Sequence, residues 1–324
     1  MTLAAAGALA LAAALDLAFS EPPSSLHPVA WLGRVVAALD DRLPDSRSVG
    51  VALAVVAPVA FAALLATPVI AVGSLFPAAG SPVAIVPAAG TAGVVLFVCS
   101  SRRMLLSVAG DVIDLADEDL EAARRELCAL AGRDAADLSS AHVRSAAVES
   151  AAENLADGLI APLFGFVVGA VLASYAGLPP TVVLAAAAGA AAWIKGVNTL
   201  DSMLGYRDRR AGWAPARLDD AVMWLPARAT ALLILAVGWG AASTDPTARL
   251  GRARSAALVP DSPNSGWPMG SLAAVLDVRL AKPDAYTLLA ERALPTTPEA
   301  RRGVRIVSRA GWLGVGVAGV SLAL

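Results

Sequence analysis

The chain has 324 residues, 57% of them hydrophobic and 16% charged, and its net charge is −2. Soluble domains typically carry about 25% charged residues, so this composition excludes an ordinary soluble domain and predicts a membrane protein. The slightly acidic balance offers no basic surface for nucleic acid, and its two cysteines and two histidines form no zinc-type spacing.

The apolar residues lie in runs that predict an all-α, polytopic integral membrane protein with a single membrane-embedded domain. A helical crossing needs about 20 apolar residues. The candidate spans are 2–19, 51–72, 82–99, 159–176, 180–194, 228–242 and 304–324. The first run lacks the charged leader of a secretory signal, so we expect a short span there.

Four charged segments separate these spans: 20–50, 100–158, 195–228 and 243–303. All four contain arginine, which collects in cytoplasmic loops, so we expect them to gather on the cytoplasmic face of the cell membrane. If every run crosses, however, 243–303 lies opposite the other three. We therefore expect the short run 228–242 to be re-entrant or half-spanning, unless another run fails to cross.

Segment 147–158 contains the strongest candidate site. On a helix that ends at Gly158, the carboxylates of Glu149, Glu153 and Asp157 stack at i, i+4 and i+8. Like charges at this spacing repel, and Asp157 would also lie at the negative end of the helix dipole. A bound cation or an arginine would remove both penalties; the alternative is a solvated acidic face.

A second candidate lies where the run 180–194 passes into polar sequence. On a helix, one face carries Lys195, Asn198, Thr199 and Ser202, with Asp201 at its border and Tyr206 beyond. Polar groups at the end of a span are costly unless they are satisfied or used. The alternative is a helix end at which Lys195 extends its ammonium group to the interface.

A third candidate is a helical stripe that contains Arg217, Asp220, Trp224 and Arg228. Arginine suits phosphate and carboxylate groups because its N–H donors bind them in pairs. The neighbouring carboxylates of Asp219 and Asp220 suit a magnesium ion that keeps most of its waters. An internal arginine–aspartate ion pair is the alternative.

Two further segments have weaker signals. Residues 261–269 have the composition of a turn. Within this segment, Asn264 is a candidate for contact with a substrate, and Trp267 can stack on a flat ligand. His27 precedes an amphipathic stretch, where a lone histidine more often has a structural role. The chain contains no G-x-x-x-x-G-K-[ST] motif, so any nucleotide site is not a P-loop.

In chain order these motifs resemble the adenosylcobinamide-phosphate synthases, membrane proteins of cobalamin biosynthesis. The resemblance extends from about Leu11 to about Leu280. Its motifs are Glu21-Pro22-Pro23 with His27-Pro28-Val29, the 147–158 segment, Val197–Tyr206, Gly212–Arg228 and Ser262–Pro268. The chain departs from the family at Leu155-Ala156, where hydroxyl residues are usual, and at Pro260-Asp261, where histidine is frequent.

The resemblance implies a reaction that joins adenosylcobyric acid to the amine of aminopropanol or of its phosphate, driven by ATP with magnesium. As a hypothesis for this reaction, we assign Glu149, Glu153 and Asp157 as catalytic groups, and Glu153, Asp157, Asp201 and Asp220 as candidate magnesium ligands. Asp219 or His27 would be the general base. Substrate and phosphate contacts would come from Lys195, Asn198, Thr199, Ser202, Tyr206, Arg217, Arg228, Asn264, Trp267 and Asn154.

Two other classes of function fit the sequence. A transporter also places polar residues near half-spanning helices, although its ionisable residues should lie in mid-span rather than at span ends. A non-catalytic scaffold of the corrinoid pathway would tolerate joint substitution of the acidic residues. The lipid bilayer, the corrinoid and the amine are the expected partners, and association with further copies or with other corrinoid enzymes is left open.

Overall fold

The computed structural model describes residues 3–75, 82–131, 135–206, 208–239 and 245–324, and most of them are helical. The first seven helices are α1 (Leu3–Phe19), α2 (Pro28–Asp40), α3 (Arg47–Ser74), α4 (Pro82–Val98), α5 (Arg102–Glu118), α6 (Leu120–Ala131) and α7 (Ser140–Leu155). A five-residue π-helical turn, Ala156–Ile160, follows α7.

The next helices are α8 (Ala161–Tyr175), α9 (Pro180–Leu204), α10 (Trp213–Val222), α11 (Trp224–Gly238), α12 (Pro246–Ala257), α13 (Gly266–Leu276) and α14 (Thr297–Ala323). Between α13 and α14 lies a small antiparallel ribbon of β1 (Leu280–Lys282) and β2 (Tyr286–Leu288), in which Ala281 pairs with Thr287. The expectation of a helical protein is thus met, with this ribbon as an addition.

Within the described ranges, five helical stretches are long and apolar enough to cross a membrane: Arg47–Ser74, Ile85–Glu118, Ser140–Tyr175, Pro180–Leu204 and Thr297–Ala323. Helices α10 and α11 add a sixth only if they form one span that is broken at Met223. These helices confirm a multi-pass membrane protein. Helix α1 is apolar but has only 17 residues. Residue 2 and residues 240–242 of the predicted spans lie outside the described residues.

The first of two compact units comprises Met1–Ser101, Ala161–Val222 and Val315–Leu324. In this unit α3 and α8 pack against α9, and α1 packs against α4. The backbones of α8 and α9 approach closely, because a Cβ atom on Gly165 would lie 2.8 Å from the carbonyl oxygen of Ala190. Such small-residue contacts are a usual means of joining helices in membranes.

The second unit comprises Arg102–Ile160 and Met223–Gly314, and α7 packs there against α5, α6, α13 and β1. Arg144 of α7 pairs with Asp117 and also donates to the carbonyl oxygen of Pro295 at 3.0 Å. The hydroxyl of Ser145 accepts the backbone N–H of Ala281 at 2.8 Å. These bonds fix the rotation of α7 and therefore which of its side chains face inward.

Replacement of Gly165 by valine is expected to lower the melting temperature of the purified protein. The new side chain would meet backbone atoms of α9, and overpacking of this kind typically costs about 1–3 kcal/mol. Gly7→Val is the matched control, since a Cβ atom at Gly7 meets nothing within 4 Å. Scanning fluorimetry in detergent would compare the two variants. Equal melting temperatures would contradict the close α8–α9 contact.

Candidate functional site

The three predicted carboxylates Glu149, Glu153 and Asp157 (the acidic row) lie in the second unit, on α7 and the π-helical turn that follows it. The hydroxyl of Ser139 caps the start of the helix. Glu149 has no exposed surface, and Glu153 and Asp157 are half-buried. The side-chain amide of Asn154 donates to the carbonyl oxygen of residue 150, one turn earlier, at 3.0 Å. A fully buried carboxylate costs free energy unless it is paired, so its retention favours a specific role over a solvated acidic face.

The predicted helix end at Gly158 is wrong. The chain continues through the π-helical turn Ala156–Ile160 into α8. Among the described glycines only Gly177 has a positive φ, so Gly158 does not take the left-handed conformation that usually ends a helix. Asp157 therefore lies within a continuous helical path, and the expected dipole penalty does not arise. Single π-helical turns occur frequently at functional sites.

Arg228, one turn into α11, packs against two tryptophan rings in the same unit. Its guanidinium carbon is 4.4 Å from the ring centroid of Trp224 and 5.0 Å from that of Trp267. Its NH1 group donates to Asn264 Oδ1 at 2.9 Å, and its NH2 group donates to the carbonyl oxygen of Pro263 at 3.2 Å. Arg228 thus attaches the 261–265 turn to α11, and its role as a phosphate ligand stays a prediction.

In the first unit, a polar cluster joins the end of α1 and the start of α2 to α9. His27 Nε2 lies 3.8 Å from Glu21 Oε2. His27 Nδ1 accepts the backbone N–H of Val29 at 3.2 Å and so caps α2. Because that bond occupies the lone pair of Nδ1, neutral His27 carries its proton on Nε2, toward Glu21. Glu21 is therefore better placed than His27 to accept a proton.

The cluster shifts the ionisation of both groups. Burial raises the pKa of Glu21, and the nearby Asp16 adds to that rise, whereas Lys195 and a hydrogen bond from Ser101 lower it. Burial lowers the pKa of His27, and the positive charge of Lys195 lowers it further. At neutral pH His27 is accordingly neutral, and Glu21 is a stronger base than an exposed glutamate.

The predicted polar face of α9 is present, but part of it is satisfied within the helix. The Thr199 hydroxyl donates to the carbonyl oxygen of Lys195 at 2.8 Å, and the Ser202 hydroxyl donates to that of Asn198 at 2.9 Å. Asn198 is buried. Both hydroxyl oxygens keep lone pairs for a ligand, so these residues can accept hydrogen bonds from a bound group.

The remaining predicted residues of the first unit are half-buried or exposed. Asp201 is in the last turn of α9, and a Cβ atom on Gly205 would lie 2.7 Å from its backbone carbonyl oxygen, which disfavours a larger residue there. Tyr206 is exposed. On α10 the Arg217 guanidinium is 3.9 Å from the Asp220 carboxylate, as the ion-pair alternative predicted. Asp219 precedes Asp220 on the same helix.

Sequence reasoning missed Asp16, Glu21 and Ser101 as members of the cluster around Lys195. Asp16 is buried on the apolar helix α1, and a charge in such a run was the available signal. Glu21 stands in one of the motifs that carry the resemblance, six residues before His27. Nothing in the spacing of Ser101 relative to Glu21 indicated their hydrogen bond, because they belong to different helical connections.

A magnesium ion is implied by the resemblance. Across the described ranges, no three histidine, cysteine, aspartate or glutamate side chains come close enough to form a metal-binding group. Magnesium nevertheless often binds through one or two carboxylates together with waters and substrate phosphates. The i, i+4 pair Glu153 and Asp157 fits that mode, and a structural all-protein magnesium cage does not fit the residues described.

Comparison with known proteins identifies the family. A family model described as CobD/Cbib protein matches residues 9–310. The chain belongs to the CobD/Cbib family. This confirms the resemblance drawn from the motifs, and every predicted site residue lies inside the matched range. No solved structure matches the chain.

Similar curated proteins cover most of this CobD/Cbib chain. A probable cobalamin biosynthesis protein CobD of Methanothrix thermoacetophila is 36% identical over 309 residues, 93% of this chain and 92% of the relative. A probable cobalamin biosynthesis protein CobD of Methanothermobacter thermautotrophicus is 36% identical over 86% of this chain and 85% of its own. The cobalamin biosynthesis protein CobD of Rhodobacter capsulatus is 35% identical over 87% and 83%.

His27 is expected to titrate below the usual histidine pKa of about 6.5, with its neutral proton on Nε2. The chain has only two histidines, so His142→Gln with ¹⁵N-histidine labelling leaves a single imidazole to follow by NMR. Lys195→Met should raise the His27 pKa, because it removes a nearby positive charge, without restoring the usual value, because burial is the larger cause. A His27 pKa above 6.5, or a proton on Nδ1, would contradict the cluster geometry.

Proposed function

We propose that this chain catalyses an amide ligation in cobalamin biosynthesis, joining the carboxylate of adenosylcobyric acid to the amine of aminopropanol or of its phosphate. The observation that carries the proposal is the acidic row of α7 and the π-helical turn, with Glu149 fully buried, in a chain whose residues 9–310 match the CobD/Cbib family. The names of the curated relatives place those proteins in cobalamin biosynthesis, which supports the pathway.

A carboxylate and an ammonium ion do not condense unaided, so the reaction needs an activated carboxylate. Bound ATP would supply a phosphoryl group for that activation. Glu153 and Asp157 would hold the accompanying magnesium, since both are half-buried and lie one helical turn apart. Glu149, which is fully buried, would be the third carboxyl group of this row. Positioning and charge neutralisation supply most of the catalysis in phosphoryl transfer.

The attacking ammonium must lose a proton before its nitrogen can bond to the activated carbonyl carbon. Glu21 is the group that we assign to accept this proton, because burial raises its pKa toward neutrality. His27, with Nδ1 bonded to the Val29 N–H, would orient Glu21 through Nε2. Asp219 is the alternative base. As the N–C bond forms, the phosphate leaves the carbonyl carbon and the proton stays on the base.

Other residues would bind the two large substrates. Arg217 is exposed, so it can reach a phosphate of ATP or of aminopropanol phosphate. Asp201 and Asp220 are further candidates for magnesium. Contacts to the corrinoid and its neighbours would come from Lys195, Asn198, Thr199, Ser202, Tyr206, Asn154, Asn264 and Trp267. The Arg228 guanidinium lies over one face of the Trp267 ring, and the other face is the candidate surface for stacking.

The protein would lie in the cell membrane, with its charged segments facing the cytoplasm, where ATP is present. Arginine in all four charged segments supports that orientation. To test the activity, detergent-purified protein would be incubated with adenosylcobyric acid, ATP, magnesium and either amine donor. Mass spectrometry would detect the amide, and a coupled assay would detect ADP. Absence of the amide with both donors would contradict the proposal and favour a transporter or a scaffold.

Glu153→Gln is expected to lower the rate of amide formation by at least about 100-fold, because the neutral amide cannot replace a carboxylate that holds the metal. Glu126→Gln is the control, since Glu126 lies exposed on α6 of the same unit. Both variants should keep the wild-type melting temperature within a few degrees. Wild-type activity in Glu153→Gln would remove the acidic row from the mechanism, even if the ligation itself had been detected.

A further inference from the structure

Two arginines of the second unit pair with one aspartate at the end of α13, and a third arginine follows that aspartate by two residues. Asp277 has a left-handed backbone, with φ of 59°, and ends that helix. Its Oδ1 atom lies 3.1 Å from Arg292 Nε and 3.7 Å from an NH1 of Arg252. The backbone N–H of Arg279 donates to the carbonyl oxygen of Ala293 at 2.8 Å, which places Arg279 beside the same turn.

The arginines hold more hydrogen-bond donors than their surroundings accept. Among the described residues, the buried donors of this group with no hydrogen-bond partner are Nε and one terminal nitrogen of Arg252, Nε of Arg279 and Nε of Arg292. Asp277 Oδ1 is the one buried acceptor of the group in the same position, since its approach to Arg292 Nε is an ion pair without hydrogen-bond alignment. Each guanidinium has five N–H donors, whereas one carboxylate offers about four acceptor positions. A buried donor without an acceptor is costly in free energy, so a concentration of such donors requires an explanation.

The charge balance of the cluster is positive. Among the described residues, two guanidinium groups pair with Asp277, and the other carboxylate that pairs with them is Glu291, 3.9 Å from Arg292 Nε and mostly exposed. One turn before Arg252, the buried Arg249 donates to the carbonyl oxygens of residues 238 and 239. A purely structural ion-pair network would not need this excess, because one arginine suffices to pair with one aspartate.

We propose that Arg252, Arg279 and Arg292 form a binding site for a phosphate group. The tetrahedral oxygens of a phosphate provide several acceptors, and its negative charge balances the positive excess. Arginine binds such oxygens through paired N–H donors. The site shares no residue with the acidic row or with the cluster around Glu21. The phosphate group can belong to a soluble phosphate compound or to a lipid headgroup, and the proposal requires no turnover.

The test measures binding to the detergent-purified protein at constant ionic strength. A ligand that binds the folded state raises the melting temperature with a saturable concentration dependence. Three probes would be compared against chloride: inorganic phosphate, ATP without magnesium, and micelles that contain phosphatidic acid. A response to either soluble probe identifies a soluble phosphate, and a response to phosphatidic acid alone identifies the lipid headgroup.

Arg252→Gln should weaken the binding of the responding probe by about tenfold or more, since it removes a charged pair of donors. Arg254→Gln is the matched control, because Arg254 is exposed on the same helix. Asp277→Asn should have the opposite effect and tighten phosphate binding severalfold. It removes the negative charge that competes for the arginines, and asparagine tolerates the left-handed backbone.

Arg252→Gln and Asp277→Asn are expected to change phosphate binding in opposite directions. If Arg252→Gln fails to fold, the result for Asp277→Asn alone supports or overturns the proposal. No saturable shift beyond chloride with any of the three probes would overturn the proposal. Equal weakening in Arg252→Gln and Arg254→Gln would also overturn it, since that result indicates a general effect of surface charge. Unchanged or weaker binding in Asp277→Asn would show that the cluster is an internal ion-pair network.

Discussion

In an apolar environment every backbone N–H and C=O group needs a hydrogen-bond partner, and this requirement governs how the chain can carry its polar side chains. A break in the middle of a span would expose several such groups at a cost of several kcal/mol. The passage from α7 to α8 obeys this constraint. The helix does not stop at Gly158 but accommodates Asp157 in a π-helical turn, so the acidic row enters the apolar run on a continuous backbone.

The same constraint explains where the polar side chains find partners. Thr199 and Ser202 donate to their own helix, and Arg228 is surrounded by two indole rings and the carbonyl groups of a neighbouring turn. The carboxylate of Glu149 is completely buried on α7, among small alanine side chains that allow neighbouring elements to pack closely. Burial of this kind is costly in free energy, so it marks positions at which a charge has a function or a fixed partner.

Two sets of groups support the proposed reaction, and each belongs to one unit. The acidic row of α7 offers oxygen ligands and negative charge, which suits a magnesium-bound phosphate. The cluster of Glu21, His27 and Lys195 offers a base and a positive charge, which suits proton removal from an amine. Activation of the carboxylate and deprotonation of the amine are separate chemical problems.

The sequence by itself determined the helical membrane class, since runs of about 20 apolar residues have few other solutions. It also located the acidic row, because i, i+4 spacing is a local property of a helix, and the ordered motifs identified the family. Only the tertiary structure decided which polar groups meet. The hydrogen bond between Glu21 and Ser101, the capping bond of His27 and the arginines around Asp277 join residues far apart in the chain or depend on backbone conformation. Periodicity describes one helix at a time, so contacts between helices became visible only once packing had brought them together.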